Sequence, residues 1–401
     1  MKKNLKLAAS LLLLIFVFSA CKKDDYDDSS SGKQLFVSAT PSASLSSLEM
    51  KALAATTGFN SFNSFLQYDV DFMKIVYKTN YKGRQIEASG TLAIPKGVAA
   101  PPSIVSAQHG TMFPDAAAPS NFPAPAAFSG FELLASVGYI TIIPDFIGYG
   151  ESKDIVHPYY DMALSGTCVA DMIKACQYYL RQQSIASSNR LFLMGYSEGG
   201  YVTLAAEREI ETHPIADLSL KGAAAGAGGY DISGVLDAIA STPTYEAPSF
   251  LALFLSGYNV TYDWNRPMSD FFQEPYASRI PALLDGSKDA DAVNEQLTTS
   301  TSALFNPTFY ANLKNTNEEK TLKQAVADNS FPNWIPQSPT LLFHGTADQT
   351  VPFQTSQSTY DKFTKAGAAN VQLIPIPGGD HKSSIIPMMQ QALPWIISLD
   401  K

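Results

Sequence analysis

The residues best suited to chemistry in this sequence are a serine between glycines, an aspartate after an apolar run and a histidine in a glycine-rich loop. Ser197 lies in Gly195-Tyr196-Ser197-Glu198-Gly199, directly after Leu191-Phe192-Leu193-Met194, and residues 201–210 read as a helix. A strand, a tight turn and a helix hold a hydroxyl out at a sheet end, and glycines on either side let the helix approach the strand. A serine hydroxyl is a weak nucleophile at neutral pH; it needs a base in hydrogen-bond reach, with a carboxylate holding that base in one tautomer. There are five histidines. His381 follows an apolar strand in Gly378-Gly379-Asp380-His381-Lys382-Ser383, a loop from which an imidazole can reach back over the sheet, and is the expected base. His109, before Gly110, suits an oxyanion loop; His157 and His213 flank helices and His344 ends a strand, so surface or capping roles are expected for these three. Asp348, just past Leu341-Leu342-Phe343, is the expected carboxylate. Its competitors are Asp380, whose adjacency to His381 places it badly for the other ring nitrogen, and Asp145, in the loop 145–152.

The elements that must carry these residues are legible by period. Residues 70–79 and 85–95 read as two strands joined by a hairpin at Asn80-Tyr81-Lys82-Gly83. Short apolar runs follow at 103–107, 139–143, 191–194, 218–224, 341–343 and 371–376, alternating with helical patterns, as expected for strands buried on both faces. Residues 158–182 carry Met162, Val169, Met172, Cys176 and Tyr179 at helical intervals. Cys168 and Cys176 fall on that helix about 12 Å apart, too far to bridge, and read as core thiols. Between the strands near 224 and 341 lie about 115 residues, far beyond an ordinary connection, so this is an insertion. Its aromatic side chains, among them Tyr245, Phe250, Phe254, Tyr258, Trp264, Phe271 and Phe272, can form the core of a helical subdomain, an apolar substrate pocket, or both.

Composition narrows the field. With 45% hydrophobic and 16% charged residues the chain is neither disordered nor a coiled coil, and a net charge of −9 argues against nucleic acid as a partner. Three cysteines, with Cys21 apart from the other two, exclude a disulfide scaffold. No His/Cys cluster points to a metal and no Gly-rich phosphate loop to a nucleotide, so no cofactor is expected. At the N-terminus, Lys2, Lys3 and Lys6 precede the apolar residues 7–19, and Phe18-Ser19-Ala20-Cys21 resembles a bacterial lipobox, which implies a lipid anchor on Cys21. The run Asp24, Asp25, Asp27, Asp28 resembles the surface-export signal of Bacteroidota lipoproteins, which implies an outer-membrane, surface-exposed location.

Four motifs in order, His109-Gly110, residues 145–152, the Ser197 turn, and the Asp348 and His381 loops, resemble the α/β-hydrolase superfamily over residues 70–397. The order Ser197, Asp348, His381 is the one that family uses. His157-Pro158-Tyr159 and the long insertion resemble its secreted lipase and esterase branch with a large cap. The resemblance implies an α/β fold with a mostly parallel sheet flanked by helices and a helical cap. It also implies an oxyanion hole made by the backbone N–H groups of Glu198 and Thr111. The expected organisation is a signal segment at 1–20, a flexible tether at 21–48, a core at 49–229 and 337–401, and a cap at 230–336. The expected activity is hydrolysis of carboxylic esters with an apolar acyl group through an acyl-enzyme. A carbohydrate-acyl esterase, acetyl or feruloyl, and a serine peptidase of the same fold stand as alternatives, as does a binding lipoprotein that has lost catalysis.

Overall fold

The computed structural model describes residues 28–401, so the expected signal segment and the expected lipid attachment at Cys21 lie outside the described residues. Within the span expected as a tether, residues 28–48 are instead structured: helix α1 (Asp28–Leu35), strand β1 (Phe36–Leu45), and the start of helix α2 (Ser47–Thr56). Ser46 and Glu49 close a reciprocal capping box on α2. The segment escapes hydrophobic patterning because an edge strand is held mainly by its ladder. β1 runs antiparallel to β2 (Val70–Tyr81), from Phe36 opposite Tyr77 to Leu45 opposite Val70. Its first residue is anchored by ring contacts, Phe36 lying 5.6 Å from Tyr178 and 5.8 Å from Tyr179 between centroids.

β2 and β3 (Arg84–Pro95) form the expected hairpin, turning at Lys82 and Gly83, both at positive φ (51° and 77°), which matches the twist of the strands. Next come β4 (Ile104–Gln108), the short α3 (Leu133–Val137), β5 (Ile140–Pro144), α4 (Met162–Gln182), β6 (Arg190–Tyr196), α5 (Glu198–Thr212) and β7 (Ser219–Gly226). The segment between β7 and the next strand carries α6 (Ile232–Ser241), α7 (Pro248–Thr261), α8 (Tyr276–Leu283), α9 (Ala290–Asn294), α10 (Thr301–Leu304), α11 (Pro307–Leu313) and α12 (Lys320–Asp328). β8 (Thr340–Gly345), α13 (Phe353–Lys365), β9 (Val371–Ile376) and α14 (Ile385–Leu399) complete the chain.

Among the described residues the nine strands form one sheet in the order β1-β2-β3-β5-β4-β6-β7-β8-β9, antiparallel through β3·β5 and parallel from there on. Leu191, Phe192, Leu193 and Met194 of the inner strand β6 are wholly buried, which is why that run shows no alternation. Burying each such side chain contributes roughly 1.5–3 kcal/mol. Helices α4 and α5 pack on one face, and α2, α3 and α14 supply the core of the other. After β4 the chain steps to β5 on one side and then returns to β6 on the other, so the C-terminal ends of β4 and β6 flank a point where the winding reverses. Open sheets of this kind bind ligands at such points.

The helical segment 227–339 is tied to this body by tyrosines. Tyr258 of α7 and Tyr201 of α5 both donate to the carbonyl oxygen of Tyr160 at 3.1 Å, and the Tyr262 hydroxyl donates to Asp161 at 2.9 Å. Inside the segment the Arg266 guanidinium lies over the Phe271 ring at 4.4 Å and pairs with Glu319 at 2.7 Å.

Deleting residues 28–45 removes β1 and leaves β2 as a bare edge. Compared with residues 28–401, residues 46–401 are expected to lose several degrees of melting temperature and to aggregate at a lower temperature; equal melting curves would show that β1 is dispensable.

Candidate active site

Ser197 occupies the turn between β6 and α5 at φ 60°, ψ −129°, a conformation costing a non-glycine residue about 1–3 kcal/mol. Neighbouring strands and the following turn hold it there. Its N–H donates to Gly226 O of β7 at 2.8 Å, and its carbonyl accepts from the N–H groups of Gly200 (2.8 Å) and Tyr201 (3.2 Å). A Cβ at Gly199 would strike the Gln108 carbonyl oxygen and lie 2.5 Å from that of His109; one at Gly195 would strike the Gly199 carbonyl oxygen. These two glycines therefore set how closely α5 approaches β4 and β6, the role their spacing predicts.

The loops after β8 and β9 bring the other two residues to this serine. His381 Nε2 lies 2.8 Å from Ser197 Oγ, and Nδ1 lies 2.6 Å from Asp348 Oδ2. A carboxylate only accepts, so Nδ1 carries the hydrogen and Nε2 is free to take the serine proton. Asp348 is fixed in turn: Oδ1 accepts from the N–H groups of Thr350 and Val351 at 2.9 Å each. Burial pushes its carboxyl up, but hydrogen bonds from His344, His381 and the Val351 backbone outweigh this and hold it well below the usual carboxylate range. Tyr196 donates to the carbonyl oxygen of His381 at 2.8 Å and steadies the histidine's loop, a role its sequence position does not signal. Asp380 is exposed and accepts from the Ser383 N–H at 2.7 Å.

Two histidines depart from expectation. His344 is fully buried, not surface or capping; it lies 3.3 Å from Asp348 Oδ2, with Nδ1 2.6 Å from Ser356 Oγ and Nε2 2.8 Å from Val351 O. The i, i+4 spacing of His344 and Asp348 is the signal that could have revealed it. His157 is also buried, with Nε2 2.6 Å from Glu198 Oε1. His157 meets a glutamate 41 residues away on another element, which a reading of local segments cannot foresee. His213 is exposed beside Glu209, as expected.

On the opposite side of Ser197 the loop after β4 passes close by. A Cβ at Gly110 would lie 3.5 Å from that of Ser197, and the next residue, Thr111, exchanges a 2.8 Å hydrogen bond with Tyr159 OH. Buried His109 stacks on Phe146 with centroids 4.1 Å apart and lies 2.7 Å through Nδ1 from Gly110 O, which braces the loop. Asp145, the second competing carboxylate, braces the same region: Ser89 Oγ donates to it at 2.5 Å and the Ser120 N–H at 2.7 Å. Glu198 opens α5, and the first N–H groups of a helix have no partner within it.

Ser197 opens into a pocket whose walls are mainly carbon, from Tyr159 and Tyr160 and from Ile232, Leu236, Phe250 and Phe254 of the helical segment. A second pocket lies past Met112, Phe113 and His157; its lining includes Lys153, Asp154, Asn259 and Asp285. Phe113 of the second pocket stacks with Phe250 of the first at 5.8 Å, so this ring pair stands between the two. Among the described residues no cluster of side chains could hold a metal ion.

The family model described as secretory lipase matches residues 131–399. Lipase 10 of Candida albicans is 23% identical over 271 residues, covering 66% of this chain and 56% of its own length, and Lipase 6 of the same yeast is 23% identical over 274 residues, covering 65% and 55%. The chain thus spans about half the length of these curated relatives. Among solved structures, a Legionella pneumophila protein superposes with a TM-score of 0.83 at 23% identity over 92% of this chain and 98% of its own. The ligand-bound rice cell wall degrading esterase LipA from Xanthomonas oryzae gives 0.79 at 24% identity over 91% and 96%. Candida antarctica lipase A gives 0.64 at 18% over 87% and 78%. These likenesses establish an α/β-hydrolase fold, as the order of motifs implies.

Asp348→Asn leaves the shape but lets the amide donate, favouring the wrong tautomer of His381. Labelling of Ser197 by a fluorophosphonate is expected to slow by about 10⁴-fold, as for the orienting aspartate of other triads, while Asp380→Asn changes it by less than about threefold. The reverse ranking would move the carboxylate to Asp380.

Proposed function

The chain belongs to the secretory lipase family, and on that premise we propose that it hydrolyses carboxylic esters through an acyl-enzyme formed on Ser197. The observation that carries this reading is the hydrogen-bonded run Ser197 Oγ, His381, Asp348, with separations of 2.8 and 2.6 Å. Ser197 attacks the ester carbonyl as His381 Nε2 takes its proton; His381 then returns that proton to the leaving alcohol. Water repeats the sequence on the acyl-enzyme and releases the acid. Asp348, kept ionised by its donors, stabilises the imidazolium formed in each step. The N–H groups of Glu198 and Thr111 meet the negative charge on the tetrahedral intermediate, and each such donor is worth about 10²–10³ in turnover.

The acyl chain occupies the carbon-lined pocket, and residues 230–336, within the helical segment between β7 and β8, act as the cap that roofs it. Burial there favours longer chains, at about 0.8 kcal/mol for each CH₂. The second pocket, with Lys153, Asp154, Asn259 and Asp285 in its lining, supports a second reading in which the alcohol is polar, as in a sugar ester. The Xanthomonas relative described as a cell wall degrading esterase makes this reading relevant. The lipobox-like Phe18-Ser19-Ala20-Cys21 supports a cell-envelope lipoprotein anchored in the outer membrane by a diacylated Cys21.

A series of p-nitrophenyl esters from acetyl to palmitoyl, with an aryl amide beside it, tests the activity. Turnover is expected to rise with chain length to an optimum, and Ser197→Ala is expected to lower it by at least about 10⁴-fold. A preference for acetyl or feruloyl esters would support the sugar-ester reading, and amide cleavage without ester cleavage would overturn both. Cys21→Ser is expected to move the expressed protein from the membrane to the soluble fraction; unchanged partitioning would overturn the anchor.

A further inference from the structure

Beneath the proposed oxyanion donor lies a buried acid and imidazole that the reaction above does not use. The Glu198 side chain is 1% exposed and that of His157 6%. Glu198 Oε1 lies 2.6 Å from His157 Nε2, and His157 Nδ1 lies 2.6 Å from the carbonyl oxygen of Ile147. A carbonyl oxygen can only accept, so Nδ1 carries a hydrogen. Nε2 and Oε1 at 2.6 Å must then share a second proton, because two lone pairs at that distance repel. The pair is either a neutral imidazole with a carboxylic acid or an imidazolium with a carboxylate, and it has no net charge in both forms. Glu198 Oε2 is buried with no hydrogen-bond partner in the protein, so nothing there compensates a lone carboxylate.

The groups facing the pair from neighbouring elements add no positive charge. His109, from the loop after β4, is pushed by burial toward its neutral form. Tyr149, after β5, and Tyr159 and Tyr160, before α4, are pushed well above the ordinary tyrosine range, first by burial and then by neighbouring groups including Glu198. Asp145, which faces His109, is raised by burial despite its serine donors.

We propose that His157 and Glu198 form a one-proton pair that positions the Glu198 N–H and keeps net negative charge away from the developing oxyanion, with His157 a positioning residue. This rests on the reading of Ser197 as nucleophile and of the Glu198 N–H as oxyanion donor. Loss of the shared proton has two effects in the same direction. It sets a carboxylate against a lone pair, which breaks the contact that fixes the first residue of α5. It also puts a buried negative charge on the residue whose N–H must stabilise another, in surroundings that screen charge poorly. Turnover therefore stands at its plateau while the proton is held and falls as pH rises through its loss.

Glu198→Gln separates this from a purely structural pair, because the carboxamide can donate to a neutral His157 Nε2 with no proton to lose. With the full chain and a p-nitrophenyl ester, the ratio of wild-type to Glu198→Gln kcat is expected to fall about tenfold as pH is raised. Superposable pH profiles would overturn the proposal. A second reading needs no variant: long-range ¹H–¹⁵N spectra of the wild type are expected to show His157 protonated at Nδ1, and a bare Nδ1 would overturn the proposal. Fluorophosphonate labelling of the same samples separates the two levels. Labelled Ser197 with superposable profiles removes the pair alone, and unlabelled Ser197 removes the nucleophile reading beneath it.

Discussion

The rest of the site depends on how closely the start of α5 approaches β4 and β6. Ser197 can stand at φ 60° only because its N–H is taken by Gly226 and its carbonyl by Gly200 and Tyr201. The approach also requires two positions without a Cβ, since Gly199 meets the backbone of Gln108 and His109 and Gly195 meets that of Gly199. The strain of one residue, about 1–3 kcal/mol, is small beside the burial of Leu191 to Met194 in the strand that feeds the turn. A deeply buried strand thus supports a strained, half-buried end, and the loops after β4, β8 and β9 are arranged around that point.

Two buried aspartates at the same end of the sheet show how donors decide a carboxylate's state. Asp145 accepts from Ser89 and Ser120, yet burial dominates and raises it. Asp348 is opposed by burial too, but it accepts from two backbone N–H groups and two imidazoles and is lowered instead. The difference lies in the number of donors and in the charge His381 can carry. A group that orients a base must stay ionised, whereas one that braces loops needs only its hydrogen bonds.

The aromatic residues of the segment between β7 and β8 divide by task. Phe271, Phe272, Phe305 and Phe309 pack on one another, with Arg266 over the Phe271 ring, and form a core internal to that segment. Tyr258 and Tyr262 bind it to the body through Tyr160 and Asp161. Tyr245, Phe250 and Phe254 face the pocket beside Ser197. Composition alone left open whether these rings make a core or a pocket; they make both, in different stretches of the segment, the core rings at 271–309 and the pocket rings at 245–254.

The sequence by itself determined the fold class and singled out Ser197, Asp348 and His381, because both rest on local patterns. Unbroken apolar runs mark strands buried on two faces, and a chemical residue just past such a run must lie at the sheet's end. The hairpin at Lys82-Gly83 was legible for the same reason, since its turn is written in adjacent residues. The edge strand β1 was not, because a Ser- and Ala-rich segment becomes a strand only when β2 offers its hydrogen bonds. Nor were the places of His344 and His157. His344 lies only four residues from Asp348, but its burial is set by the Ser356 hydroxyl of α13 and the Val351 carbonyl, and His157 takes its role from a glutamate on another element. Tertiary structure decided these because a buried polar side chain is assigned by whatever donor or acceptor the fold brings within 3 Å, and sequence spacing carries no record of that distance.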